Sequence, residues 1–224
     1  MRTHADRDGS GRRKPIAWVA STLHTIWYAR EFWTSPVNRY VVDQVDPGPF
    51  ERVADVGAGL GPAVVEAAPR MPGGVVIAVE PAAYMRTVLG VRRRWQRARE
   101  RIDVRSGTAE QLPVGDHELN AIWAVNAMHH FADLEAVARE ASRALEPGGR
   151  LVFVDEDFES EDHALGGSGH GDDGHLLSAE EIDALVEFLR RVGFVDLSAE
   201  RSSVDGVPII AVRAIAGAAG SEPG

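Results

Sequence analysis

No cysteine occurs anywhere in the 224 residues, which excludes disulfides, thiolate metal sites and cysteine nucleophiles together. Long apolar runs are missing as well: none reaches the eighteen residues of a transmembrane helix, so no membrane span is expected. The polar, basic start from Met1 to Lys14 is not followed by an apolar signal core with a small-residue cleavage site. A cytoplasmic location is therefore expected. Basic residues are outnumbered, 24 Lys and Arg against 34 Asp and Glu, and the formal net charge of -10 argues against general affinity for nucleic acid or anionic membranes. Internal repeats are not visible either. What is present is an ordinary globular mixture, 44% hydrophobic and 26% charged, long enough for one large domain with a well-buried core.

The chain divides into a polar tail over 1–15, a helical cap over 16–48, a main domain over 49–215 and a second tail over 216–224. Short β-branched runs alternate with longer amphipathic stretches. Strands are expected at Val53–Val56, Val75–Val79, Ile102–Arg105, Ala121–Val125, Leu151–Val154, Val195–Glu200 and Ile209–Val212. The earlier ones are continuously apolar, as parallel strands covered on both faces should be. Leu134, Val137, Ala138, Ala141 and Leu145 share one helical face, with a stop at Pro147-Gly148-Gly149. Ser178 and Glu181 form a capping box ahead of Ile182, Leu185, Val186, Leu189 and Val192. Two further helices are expected near Ile16–Glu31 and Pro36–Gln44. The fold class is α/β: a Rossmann-like, seven-stranded, mostly parallel sheet with helices on both faces. Ser202–Pro208 suits a turn, so the last two strands should form an antiparallel edge hairpin.

The strongest chemical signal is Asp55-Val56-Gly57-Ala58-Gly59-Leu60-Gly61 after an apolar strand. Glycine at alternate positions lets the backbone turn sharply and approach a ligand with no Cβ in the way. The carboxyl edge of an open α/β sheet is where such folds bind ligands. The spacing is G-x-G-x-G, not the G-x-G-x-x-G of dinucleotide folds. The next strand ends at Glu80, nineteen residues past Gly61, where a carboxylate can accept from both ribose hydroxyls of an adenosine ligand.

From about Arg52 to Phe194 the sequence resembles the class I S-adenosylmethionine (SAM)-dependent methyltransferases, especially the small-molecule branch of ubiquinone and menaquinone biosynthesis. Several motifs carry the likeness in order: the glycine loop, Glu80-Pro81, Gly107-Thr108-Ala109-Glu110-Gln111-Leu112-Pro113, Val125-Asn126-Ala127-Met128-His129-His130-Phe131, and Leu145-Glu146-Pro147-Gly148-Gly149-Arg150-Leu151. The resemblance implies SAM as cofactor. It places Asp55, Gly57, Ala58, Gly59 and Gly61 against the amino acid part of SAM, and Glu80 on the ribose. Pro81, Met85, Ala109 and Glu110 would lie near the adenine, and Asn126 would line the cofactor side. Relatives usually carry Asp where Asn120 enters the fourth strand; a neutral side chain there can keep a turn-capping bond.

Methyl transfer is an in-line displacement for which SAM supplies the activation, so the protein mainly orients the acceptor and excludes water. A base is needed only when the acceptor is a hydroxyl, thiol or carbon acid. His129 and His130 are the candidates, against the alternative that they only pack or hold the loop. Trp27 and Tyr28 in the cap, with His163, His170 and His175 in the acidic, glycine-rich segment from Asp155 to His175, are candidate substrate contacts. That segment reads best as a hydrophilic lid; its spacing matches no compact zinc motif, and no metal is expected. The arginines at 92, 93, 94, 97, 99 and 101 read as the wet face of the second helix, with no aromatic platform beside them for RNA. The expected partner is a small-molecule methyl acceptor rather than nucleic acid, with the chain a monomer or homodimer. The alternatives are a SAM-binding regulatory protein without transfer activity, or a protein or RNA methyltransferase. Against amino groups of RNA or DNA, Asn126-Ala127-Met128-His129 stands where an Asn/Asp-Pro-Pro-aromatic tetrapeptide would be.

Overall fold

The computed structural model describes residues 33–158, 160 and 178–218. The expected helix at Ile16–Glu31, the residues Trp27 and Tyr28, and the histidines at 163, 170 and 175 lie outside the described residues. From Pro36 onward the elements run α1 (Pro36–Val45), β1 (Arg52–Val56), α2 (Pro62–Ala67), β2 (Val75–Val79), α3 (Ala83–Arg93), β3 (Ile102–Arg105), β4 (Leu119–Val125), α4 (Leu134–Ala144), β5 (Leu145–Glu156), α5 (Ala179–Arg191), β6 (Phe194–Val204) and β7 (Val207–Ala216).

Seven strands form one sheet in the order β3-β2-β1-β4-β5-β7-β6. The first five pair in parallel, whereas β7 lies antiparallel between β5 and β6. Period-two alternation splits the core by sheet face. Ala54, Val56, Ile77, Ile122 and Phe153 pack with Val137 and Ala141 of α4 and Leu185 and Leu189 of α5. Val53, Val76, Ala78, Trp123 and Val152 pack with Val41 and Val45 of α1 and Val64 of α2. The expected α/β sheet with helices on both faces and an antiparallel edge hairpin is what forms.

Boundaries differ where polar residues sit inside strands. The expected stop at Pro147-Gly148-Gly149 falls earlier: α4 ends at Ala144, and Leu145 already pairs with Leu119. The Pro-Gly-Gly segment is a bulge within β5, after which Arg150 pairs with Ala121. Asn120 ties this end together. Its Oδ1 accepts from the Arg52 N–H at 2.7 Å and its Nδ2 donates to Glu146 at 2.7 Å. The last hairpin is longer than expected because its turn is only Asp205-Gly206, with φ of 49° and 82°; Val204 pairs directly with Val207. Two positive φ values fit a primed two-residue turn, for which Asp-Gly is a preferred pair.

The capping box is present as the sequence implies. Glu181 N–H donates to Ser178 Oγ at 3.2 Å, and Ser178 N–H donates to the Glu181 carboxylate at 2.9 Å. Replacing Ser178 with Ala should cost about 1 kcal/mol. In urea denaturation this is read as a lowered midpoint with an unchanged slope; an unshifted midpoint would show that the cap contributes nothing.

Candidate active site

Strand order reverses between β1 and β4, so the crevice of this sheet opens at the carboxyl ends of those two strands. The glycine loop leaves β1 there. Gly57 and Ala58 N–H groups both donate to the Val79 carbonyl of β2, at 2.9 and 3.0 Å. Gly57 has φ 73°, and a Cβ on it would sit 2.6 Å from the Ala127 Cβ, so the loop and the end of β4 touch without room for a methyl group. A Cβ on Gly59 would meet only ordinary contacts, the Gly57 carbonyl oxygen at 3.9 Å and Met85 Sδ at 4.0 Å, but its φ of 53° disfavours any side chain there.

Glu80 closes the loop. It is buried, at 5% exposure, and its two oxygens go separate ways: Oε2 accepts from the Gly59 N–H at 2.9 Å and Oε1 from the Ala82 N–H at 2.8 Å. Each carboxylate oxygen has a second lone pair, so the group can hold the loop and still accept from a diol. Arg86 braces the same corner by donating to the Glu80 and Pro81 carbonyls at 2.8 and 2.7 Å. Pro81 is exposed and Met85 half-buried beside it.

Asp55 ends β1 with 2% exposure. Burial pushes its carboxyl up to about 7, with the Glu80 charge adding in the same direction. The Trp123 indole N–H lies beside the carboxyl and offsets this in part, yet it closes no hydrogen bond of good geometry with any atom. A buried acid of this kind is ready to ionise beside a cation. The bare glycine loop, the diol-ready Glu80 and the cation-ready Asp55 together fit a cationic amino acid joined to a nucleoside, which is the chemistry of SAM.

Across the crevice, β4 and β5 end side by side. Asn126 has φ 51°; its Oδ1 accepts from the Glu156 N–H at 2.7 Å and its Nδ2 donates to Glu156 at 3.2 Å. Its side chain is thus occupied by β5. Asp155 is the residue that sequence reasoning misplaced. It was expected to open a loop, but it is buried within β5 and takes four bonds. Oδ1 accepts from Ala127 and Met128 N–H at 2.9 and 3.2 Å, and Oδ2 from His129 N–H and Nδ1 at 3.2 and 2.7 Å. An acid directly after an apolar strand, as at Asp55 and Glu80, was the available signal. His130 is exposed, its ring 4.0 Å from that of His129.

Ala109 is buried, in a tight turn where Thr108 pairs with Gln111. The Glu110 carboxylate accepts from the Ala132 N–H at 2.8 Å. Burial raises its pKa, but backbone hydrogen bonds from the 132–133 loop and its own turn outweigh that and hold it low. Glu110 therefore anchors the loop leading into α4. In the arginine run, Arg92 is half-buried and donates to the Leu60 carbonyl at 3.0 Å, with burial lowering its pKa to about 10. Arg93 donates to the Ile102 carbonyl. These two brace the glycine loop and β3 rather than forming a wet face. The absence of an aromatic beside the run is also corrected: Trp95 is 84% exposed among the arginines.

Comparison with known proteins agrees with this geometry. Residues 54–153 match the family model described as a methyltransferase domain. Methyltransferase GfsG of Streptomyces halstedii is 32% identical over 119 residues, covering 53% of this chain and 42% of that protein. Nocamycin O-methyltransferase of Saccharothrix syringae is 35% identical over 121 residues, 52% of this chain and 41% of that one. The matched stretch thus spans less than half the length of either relative. A SAM-dependent methyltransferase from Aquifex aeolicus shares the fold with TM-score 0.65 at 17% identity, covering 80% of this chain and 89% of that one. The [4+2]-cyclase SpnF does so at TM-score 0.66 and 18% identity, covering 81% of each. Residues 54–153 thus match a methyltransferase domain, and the fold around them is that of SAM-dependent methyltransferases. The narrower likeness to the quinone-biosynthesis branch rests on the motifs alone.

Asp55 makes stability depend on pH with a definite sign. Unfolded, its carboxyl ionises near 3.8; folded, near 7. Between those values the unfolded chain sheds a proton that the native chain keeps, so its contribution to stability is lost as pH rises through 7. Asp55→Asn should therefore stabilise the ligand-free protein by about 2–4 kcal/mol at pH 8 and little at pH 4, while weakening SAM binding. Thermal melts at both pH values check this; equal effects at the two would refute the assignment.

Proposed function

We propose that this protein is an enzyme that transfers the methyl group of SAM to a small organic acceptor by in-line displacement. The observation that carries the reading is the Glu80 carboxylate, which spans Gly59 and Ala82 at the switch point with acceptor capacity to spare. Glu80 would hold the ribose diol, Asp55 the cationic amino acid end, and Gly57, Ala58, Gly59 and Gly61 would let the backbone lie against it. Pro81, Met85 and the buried Ala109 would flank the adenine. When bound, SAM supplies an activated methyl group on a sulfonium centre. The chain's own part is to orient both partners and exclude water from the crevice.

A small acceptor is supported by the natural-product relative, whose name gives it as an O-methyltransferase. The fold by itself argues for no reaction, since a [4+2]-cyclase shares it. No helix among the described residues is long and apolar enough to cross a membrane, and no group of three His, Asp or Glu among them is placed to hold a metal ion.

Calorimetric titration of SAM and its demethylated product against the wild type and Glu80→Ala tests this reading. Loss of the ribose acceptor should weaken binding by about 1.5–3 kcal/mol, roughly ten- to a hundredfold. A well-folded wild type that binds neither compound would end it.

A further inference from the structure

Four of the six large apolar side chains left exposed among the described residues belong to one short stretch: Tyr84, Val88, Val91 and Trp95, at 58%, 47%, 53% and 84% exposure. Scattered singly, such residues call for no account; grouped and rimmed by polar ones, they mark a contact surface. Spacings of four and three place Tyr84, Val88 and Val91 on the outer face of α3. The inner face holds Leu89, wholly buried against Gly61, and Arg92, which donates to Leu60. Past Arg93 the helix tightens, the Arg94, Trp95 and Gln96 N–H groups each donating to the carbonyl three residues back. That turn holds Trp95 at the end of the stripe, four residues beyond Val91. Arg94, Arg97 and Arg99 are exposed around it, and their guanidinium groups make no hydrogen bond or ion pair among the described residues.

Charge and spacing decide what can cover this surface. On a chain of net charge -10, three unpaired arginines beside an apolar stripe call for an acidic partner. The four-three-four spacing is that of the apolar seam by which two helices pack. Arg94 then stands at a flanking position, where an acid of the facing helix would pair with it. A second copy of the chain fits poorly. Antiparallel pairing of α3 with itself would bring Arg94 onto a first turn that holds no acid and carries the positive end of the helix dipole. Parallel pairing would bring the two sets of arginines together. Four side chains also fall far short of the roughly 20–30 residues a side of a stable dimer. An anionic bilayer would be repelled by the net charge of the chain and demands no seam spacing.

We propose that the outer face of α3, with Trp95, is a docking surface for an acidic amphipathic helix of another protein. The interface is small, so the complex is transient. α3 packs on β3, and two strands separate β3 from β4, so a helix seated there leaves the ends of β4 and β5 open. The surface does not depend on which reaction the crevice performs.

Two three-heptad peptides serve as probes, both with leucine along the seam, one flanked by glutamate and the other by lysine. Like charges on both flanks keep each peptide from pairing with itself. Binding to the full chain is read from the Trp95 indole cross-peak in ¹H–¹⁵N spectra, assigned with Trp95→Phe. The glutamate peptide should move that cross-peak and bind at least about tenfold more tightly than the lysine peptide. The combined variant R94E/R97E/R99E should reverse the preference, and Val91→Ser should weaken the glutamate peptide by about tenfold. Both variants should leave the cross-peak of the buried Trp123 in place, which shows the fold intact. An unmoved Trp95 cross-peak overturns the proposal, as do equal affinities for the two peptides. Binding to phosphatidylglycerol vesicles that Val91→Ser abolishes overturns it in favour of a lipid surface. A mass that doubles with concentration and reverts in Val91→Ser overturns it in favour of a second copy.

Discussion

Three carboxylates end three parallel strands at one edge of the sheet, and the site follows from how each is satisfied. Asp55, Glu80 and Asp155 are all nearly inaccessible, and a buried charge is tolerated only with donors around it. Glu80 recruits the Gly59 and Ala82 N–H groups, so the shape of the glycine loop is set by a strand that is not its own. Asp155 recruits three consecutive N–H groups after β4 and thereby folds the turn that carries His129. Asp55 has only the ill-directed Trp123 indole and the repulsion of Glu80, and its carboxyl is correspondingly raised. Two acids organise backbone, and the third is held ready for a charge that the protein does not supply.

This division explains why the cofactor side was legible in the sequence and the acceptor side only partly so. Central parallel strands are apolar on both faces, so β1, β2 and β3 stand within a residue of where periodicity puts them. Glycines at alternate positions and Glu80 at a strand end have local signatures. Asp155 also follows an apolar strand, but the run Asp155-Glu156-Asp157-Phe158-Glu159 is dominated by acids and reads as a solvated segment. Its burial depends on donors from a turn 28 residues earlier, and no window of sequence contains both. The same limit hid the bulge in β5, where Pro147-Gly148-Gly149 has the composition of a helix stop but lies between two paired segments. Trp95 is a different case: it stands directly after Arg94, so the aromatic beside the arginines was legible in the sequence, and the fold adds only its exposure. For Asn126 and Glu110 the partners of the side chains, Glu156 and Ala132, are set by tertiary contact.

The boundary between the two sides is a single contact. Gly57, just after β1, packs so closely on Ala127 after β4 that a Cβ on it would sit 2.6 Å from the Ala127 Cβ. On one side of it lie β1 and β2, whose glycine loop and Glu80 suit a nucleoside with a cationic tail. On the other lie β4 and β5, whose ends are locked by Asn126–Glu156 and by Asp155. The order reversal at β1 and β4 puts the two on opposite walls of one crevice. A reaction between a common donor and a variable acceptor calls for this arrangement. The acceptor wall can change by substitution at the ends of β4 and β5 without disturbing the hydrogen bonds that shape the cofactor loop, because those come from β2, Glu80 and Arg92. The fold is shared with a cyclase, so the sheet by itself fixes no reaction, and the chemistry has to come from the residues set on the two walls.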